Sequence, residues 1–219
     1  MVEKRQIEPE VEQALNCVFS GKNFVLTGGA GSGKTYSLIS LINEFSTLNK
    51  NAPILCITYT NNAVFEIRER SNNENLYVST IHDFLWSLIN QFQTEIIDLL
   101  IELINDDEYK IFRLPEGMDK IERSYFDGQV IKYDEYYSIN STSSSISHDH
   151  VIILAEKMFA KYKKLCDVLK DNAKLILVDE YQDTAPEVVE ILLKHIKKSN
   201  KDCVVGFFDK VPIVGVNSK

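Results

Sequence analysis

Residues Gly28-Gly29-Ala30-Gly31-Ser32-Gly33-Lys34-Thr35 constrain this chain more than any other stretch. They match G-x-x-x-x-G-K-[ST], a loop that wraps the phosphates of a nucleoside triphosphate. Glycine at these places permits positive φ and leaves room for several backbone N–H groups to converge on one phosphate. Lys34 would set a point charge on the β- and γ-phosphates, and the Thr35 hydroxyl would ligate Mg²⁺. Such a motif needs a strand before it and a helix after it. Phe24-Val25-Leu26-Thr27 is a short apolar run of strand composition, and Leu38, Leu41, Ile42 and Phe45 recur at helical spacing from Tyr36 onward. The phosphates would then rest on that helix's N-terminus, where unpaired N–H groups and the dipole favour anions. A Gly/Ser-rich turn without a ligand is the plainer alternative. The full match in the right context argues for a nucleotide.

The rest of the composition sets bounds. A chain of 219 residues can bury one good core with a smaller lobe attached. Its net charge of −8 argues against a nonspecific polycation for nucleic acid, although a local groove of placed charges stays open. Cys17, Cys56, Cys166 and Cys203 are far apart with no C-x-x-C pair, which fits reduced thiols and neither a disulfide frame nor a zinc site. The start, Met1-Val2-Glu3-Lys4-Arg5, is polar and shows no secretory h-region, and no apolar run reaches membrane-spanning length. A cytoplasmic protein without a membrane partner is expected.

Along the chain, strands and helices alternate. Glu8 to Phe19 reads as a helix, with Gln13 fifteen residues ahead of Gly28. Alone, that Gln is a solvated side chain. Pro53–Thr58 is a second strand, running into Tyr59-Thr60-Asn61-Asn62-Ala63 and a helix to Arg70. Leu76–Ser79 is a third strand, followed by Thr80-Ile81-His82 and one long helix with an apolar face from Ile81 to Leu103. From Asn105 to Asp149 the alternation breaks. Asp127-Gly128 between Ile121–Phe126 and Gln129–Tyr136 predicts a β-hairpin in this insertion, and Ser138–Ser147 predicts a loop. A helix then spans Val151 to about Leu169. Leu175-Ile176-Leu177-Val178 reads as a buried strand ending in Asp179-Glu180-Tyr181-Gln182-Asp183-Thr184. Pro186 opens a helix that turns Val189, Leu192, Leu193 and Ile196 inward, and Cys203–Asp209 is the last strand.

Four apolar strands with helices between them imply an α/β fold with a mostly parallel sheet and ligands at the strand C-termini. At such an end Asp179 would hold Mg²⁺, and Glu180 would orient and deprotonate an attacking water. A pair of exposed carboxylates is the alternative there. His148-Asp149-His150 is read as a helix cap with solvated histidines rather than a metal site, because no further ligand stands at suitable spacing.

Taken together and in this order, Gly28–Thr35, Thr58–Ala63, Thr80–His82 and Asp179–Thr184 resemble the first motor core of UvrD/Rep-type superfamily 1 DNA helicases, from about Gln13 to Asp209. The resemblance implies a RecA-like P-loop NTPase core that hydrolyses ATP with Mg²⁺ and works on single-stranded DNA. It implies that Gln13 reads adenine, that Lys34, Glu180 and Gln182 serve catalysis, and that Thr35 and Asp179 hold the metal. It also places Tyr59, Thr60, Asn61, Thr80 and His82 along single-stranded DNA. Stacking on an aromatic ring, with small polar groups on phosphates, is reasonable chemistry for that. The implied organisation is core over 1–104, a small, mostly helical accessory insertion over 105–149, and core again over 150–219.

The departure comes after Gly206-Phe207-Phe208-Asp209-Lys210, where Pro212 stands in place of the family's γ-phosphate-sensing Gln. The family's second core, with its arginine fingers, does not follow. The expectation is therefore a core truncated before its mate, or one subunit of a split assembly whose partner chain supplies the second core. Weak ATP binding, very slow hydrolysis and an open edge at the loop strand go with it, the apolar tail Val211, Ile213, Val214 and Val216 lacking a partner strand. A small P-loop kinase is a third reading, which Asp179–Thr184 disfavours, because a second acid and a Gln fit hydrolysis.

Overall fold

The computed structural model describes residues 7–27, 33–71 and 73–209. In chain order the elements begin α1 (Pro9–Phe19), β1 (Phe24–Thr27), α2 (Lys34–Leu48), β2 (Ile54–Thr58), α3 (Asn61–Arg70) and β3 (Leu76–Thr80). There follow α4 (Ile81–Ile89), α5 (Gln93–Ile104), β4 (Lys132–Tyr133), β5 (Ser138–Ile139), β6 (Ser144–Ile146) and α6 (His148–Lys161). The last are α7 (Lys163–Asn172), β7 (Leu175–Val178), α8 (Pro186–Leu193) and β8 (Val204–Asp209). Gly28, Gly29, Ala30, Gly31 and Ser32 of the loop lie outside the described residues, as does the tail 210–219.

Two units pack separately, one of Met1–Ile81, Lys170–Thr184 and Asn200–Lys219, the other of His82–Leu169 and Ala185–Ser199. The first is built on a sheet ordered β1-β8-β7-β2-β3, with every neighbouring pair parallel. Every residue of β2, β7 and β8 is buried. A parallel sheet covered on both faces needs such continuous apolar strands, and that is why they were legible. Against one face, Val11, Ala14, Leu15 and Val18 of α1, Leu38, Leu41, Ile42 and Phe45 of α2, and Val64 and Ile67 of α3 share a core with Ile54, Cys56, Leu177 and Phe208. Each such Leu or Ile contributes about 1.5–3 kcal/mol by leaving water. Gly206 lies opposite Phe24, and a Cβ there would come within 2.2 Å of the Phe24 ring. Only glycine lets that ring cross the strand. With all strands parallel, Thr27, Thr58, Thr80, Val178 and Asp209 end on one edge, in register as Thr27 with Asp209 and Thr58 with Thr80. Among the described residues β1 is an edge strand.

The second unit departs more from expectation. The long helix is two, α4 and α5, broken at 90–92. The Gln93 amide occupies the break: it donates to Asn90 C=O (2.7 Å) and accepts from Ile131 N–H (2.8 Å). The helix from 151 is likewise two, parting at Tyr162, whose φ −116°, ψ 101° is extended. The predicted hairpin is not formed. Arg123–Phe126 is a 3-10 turn that buries Phe126, and Asp127-Gly128 closes the turn after it. The insertion's strands are β4, β5 and β6, in the order β4-β6-β5, and not the helices expected there. Its antiparallel pair, β5 with β6, comes from the stretch predicted as loop. Asn140 makes that reversal: its Oδ1 accepts from Thr142 N–H (3.0 Å) and Ser143 N–H (2.9 Å), a side-chain mimic of a backbone turn.

His150 corrects the reading of a solvated cap. It is 4% exposed, stacked on Tyr137 (4.2 Å) with the edge of Phe112 at 4.8 Å. Its Nε2 donates to Ile111 C=O (3.0 Å) while Nδ1 faces the Ser147 hydroxyl (2.8 Å). On α8 the buried set is Val188, Ile191 and Leu192; Leu192 and, in the 3-10 turn after the helix, Ile196 are inward as predicted, while Val189 and Leu193 are half-buried.

Candidate functional site

The helix after the loop starts at a left-handed residue. Gly33 is the N-cap of α2 with φ 77° and ψ 23°, a conformation open to glycine at no steric cost, and its carbonyl accepts from Ser37 N–H at 2.8 Å. Lys34 and Thr35 are therefore the first two residues of a helix, where N–H groups lack intrahelical acceptors and anions are favoured.

Across the same strand edge, the ladder runs one residue past β7. Asp179 N–H donates to Ile57 C=O (2.9 Å), which fixes the carboxylate beside the end of β2. Asp179 is 8% exposed, and its Oδ1 accepts from Glu180 N–H (3.1 Å). Burial, reinforced by the Asp179 charge, holds the Cys56 thiol far above its ordinary range, so it is an inert neighbour. Glu180 has φ +56°, alone among the described non-glycine residues in being left-handed. Such a backbone costs about 1–3 kcal/mol and persists where its surroundings hold it. The 3-10 turn Tyr181–Asp183 does so, with the Tyr181 ring lying edge-on to Phe207 at 4.8 Å. The Gln182 amide donates to the carboxylates of both Glu180 and Asp183.

These groups meet at a cleft of about 280 Å³, lined by Thr35, Thr58, Tyr59, Thr60, Glu66, Asp179, Glu180 and Asp183 among others. Thr58 Oγ1 is buried and has no hydrogen-bond partner among the described residues. A buried hydroxyl left without a partner is rare enough to need an explanation, and a polar occupant of the cleft is one. Thr58, Glu66 and Asp183 were missed by sequence reasoning. A polar residue closing an otherwise apolar strand was the available signal for Thr58.

The other predicted residues are placed as follows. Thr60 caps α3, its Oγ1 accepting from Ala63 N–H at 3.2 Å; Tyr59 beside it is 55% exposed, and Asn61 begins the helix in solvent. Thr80 ends β3 and is buried. His82 belongs to the second unit, where its ring lies 4.7 Å from His148; burial and that neighbour lower its pKa, while Asp149 and Asp83 oppose the shift. Gln13 is exposed on α1 and does not line the cleft.

A family described as an AAA domain, AAA_19, matches residues 11–216. The chain belongs to this family, as a UvrD-like superfamily 1 helicase core. It is similar to Gabija protein GajB of Bacillus cereus (strain HuB5-5), 25% identical over 94% of this chain and 43% of that protein. It is also similar to ATP-dependent DNA helicase PcrA of Bacillus subtilis (strain 168), at 25% over 85% of this chain and 31% of the relative. ATP-dependent DNA helicase Rep of Buchnera aphidicola subsp. Baizongia pistaciae (strain Bp) is 27% identical over 73% and 30% respectively. The chain thus spans less than half the length of the curated relatives it matches. Membership implies nucleotide binding. Among the described residues no helix is long and apolar enough to cross a membrane.

Proposed function

We propose that this chain binds ATP with Mg²⁺ at the strand-end cleft and forms the hydrolytic core of a helicase that moves on single-stranded DNA. One observation carries the reading: Thr35, opening the helix behind the loop, lines the same cleft as Asp179 and Glu180. A hydroxyl and a carboxylate are the hard oxygen donors that suit Mg²⁺, and the ion would neutralise phosphate charge between them. Lys34 neutralises the phosphates from the helix side, and Glu180 accepts the proton of the attacking water. Gln182, bonded to Glu180, carries the state of that carboxylate into the turn Tyr181–Asp183. The loop glycines cradle the phosphates, and Gln13 is assigned to the adenine edge on its place in the family alone.

DNA as the substrate comes from relatives named ATP-dependent DNA helicases. Tyr59 would stack on a base, with Thr60, Asn61, Thr80 and His82 along the strand, in a cytoplasmic enzyme. Because the chain spans under half of those relatives, unwinding would need a second core, from further sequence or from a partner chain. The test is titration of the chain with a fluorescent ATP analogue, with and without Mg²⁺. Saturable binding strengthened by the ion is expected, and its absence would overturn the assignment.

A further inference from the structure

The nucleotide cleft uses the edge of the sheet where the strands end, and the edge where they begin holds a larger hollow. Its volume is about 660 Å³, within the size range of small-ligand pockets. The turn from α1 into β1 lines it, with the end of α2 and the residues that lead into β7 and β8. All of these belong to the first unit. Its walls are of two kinds. One is aromatic: the Phe19 ring, 56% exposed, lies 6.4 Å from the buried Phe45 ring. The other is cationic, with the ammoniums of Lys170, Lys174 and Lys201. Two carboxylates stand against these three charges, Asp202 on the wall and Asp171, which pairs with Lys201. A local positive excess is left on a chain of net charge −8. The cations are held in place. Lys174 N–H donates to Pro53 C=O (2.8 Å) and its C=O accepts from Val204 N–H (3.0 Å), while its side chain is exposed. Lys170 is 8% exposed, and its Nζ donates to Lys201 C=O (2.9 Å). The charges of both reach the Cys203 thiol on the same wall, which burial nonetheless pushes up to about 11, so it stays neutral.

We propose that this hollow is a second ligand site, which takes a small anion with a flat apolar body. The ring rests on Phe19 and Phe45, and a carboxylate or phosphate lies among Lys170 and Lys174. Both walls open on one concavity, and each excludes half of the simpler ligands. A neutral ring would strip water from the ammoniums and give no charge in return. An inorganic anion would leave the aromatic wall wet, and so forgo the contact that a second ring supplies. Because the hollow lies at the other edge of the sheet from Asp179 and Glu180, it stands whether or not the ATP cleft does.

The experiment titrates the full chain with 1-naphthoate and with 1-naphthyl phosphate, reading naphthalene emission. Saturable binding is expected. Two competitors, 1-naphthylmethanol without the charge and inorganic phosphate without the ring, should each bind at least about 5-fold more weakly. Acetylation of lysines, read by mass spectrometry, should slow at Lys174 when the aryl anion is bound, and not at Lys34. Lys174→Glu turns attraction into repulsion and should weaken binding about 5- to 30-fold. Phe19→Ala should weaken it about 2- to 13-fold, the range for losing one aromatic partner. Lys174→Arg and Phe19→Tyr keep the charge and the ring and should bind nearly as the unmodified chain does, which separates lost contacts from lost folding. Binding of only one of the two anions upholds the site and names its anionic group. Protection of Lys34 in place of Lys174 would put the anion in the nucleotide cleft and overturn the proposal. So would equally tight binding of 1-naphthylmethanol, unweakened Lys174→Glu and Phe19→Ala chains, or no saturable binding of either anion.

Discussion

Asp179 and Glu156, two of the buried acidic side chains among the described residues, are held in opposite ways. At the strand-end cleft, Asp179 is nearly buried, Glu180 sits in a strained backbone, and Thr58 presents an orphaned hydroxyl. In the second unit, Glu156 is equally buried, but its Oε1 meets His195 Nε2 at 2.7 Å and its Oε2 meets Lys157 Nζ at 3.1 Å. The Cys166 thiol donates to His195 C=O at 3.2 Å, and only His195 Nδ1 lacks a partner there. This second cluster joins α6 to the turn after α8. Where strain and unmet hydrogen bonds are tolerated, a ligand is the natural explanation; where charges are locked to neighbours, the explanation is architecture.

The largest expected effect breaks the architectural side. His195→Ala leaves Glu156 buried with Lys157 but without its imidazole, and a buried polar group stripped of one partner costs about 1–3 kcal/mol, more where it is charged. Urea unfolding should show that loss, while any folded fraction binds the ATP analogue as before. Full stability in the variant would refute the structural role. The next breaks the functional side. Lys34→Ala should weaken the analogue about 10- to 150-fold, the worth of a charge-assisted hydrogen bond of about 1.5–3 kcal/mol. Alanine is the better helix former, so α2 and the unfolding midpoint should survive. Unchanged affinity in a folded variant would refute the phosphate assignment.

What could be read in advance follows the same divide. The strands β2, β7 and β8 were legible because strands covered on both faces are uninterrupted apolar runs, and the site was legible because the loop, Asp179 and Glu180 belong to local motifs. The left-handed Glu180 backbone has no composition signature. The 105–149 segment was misread because its strands are two or three residues long, too short for any periodicity. Its order comes from distant partners: Asn105 both donates to Ile121 C=O (2.8 Å) and accepts from Ile121 N–H (2.9 Å), and Gln93 pairs with Ile131. Asp127-Gly128 is a turn, but what it joins was decided by where Phe126 and Ile131 could be buried.

A smaller effect sharpens the comparison from within the cleft. If the Glu180 backbone is strained for function, Glu180→Gly should raise stability by about 1 kcal/mol, since glycine adopts positive φ freely. ATP turnover, measured with whatever completes the enzyme, should fall by about 10²–10⁴ from loss of the base. A destabilised Glu180→Gly chain would show that the turn is held by the side chain and not in spite of the backbone.

The smallest effect is a pH dependence placed in the second unit. Burial, aided weakly by Arg113, lowers the His150 pKa below its ordinary 6.5, against the opposing pull of the Ile111 carbonyl and Asp149. The unfolded chain then takes up the proton more readily than the folded one. Between the unfolded value of 6.5 and the lower folded value, the unfolded state holds more protons, so stability rises with pH across that window. Above 6.5 the contribution is complete, and it is lost as pH falls toward the folded value. Chemical unfolding followed from above 6.5 downward should show this decline. His150→Gln keeps an amide donor for Ile111 but cannot titrate. It should begin less stable, because the stack on Tyr137 is gone, and it should lose less on acidification. Equal losses in the two chains would move the effect to His82, whose pKa burial lowers in the same direction. Binding of the ATP analogue should not follow the His150 titration, because the cleft belongs to the other unit.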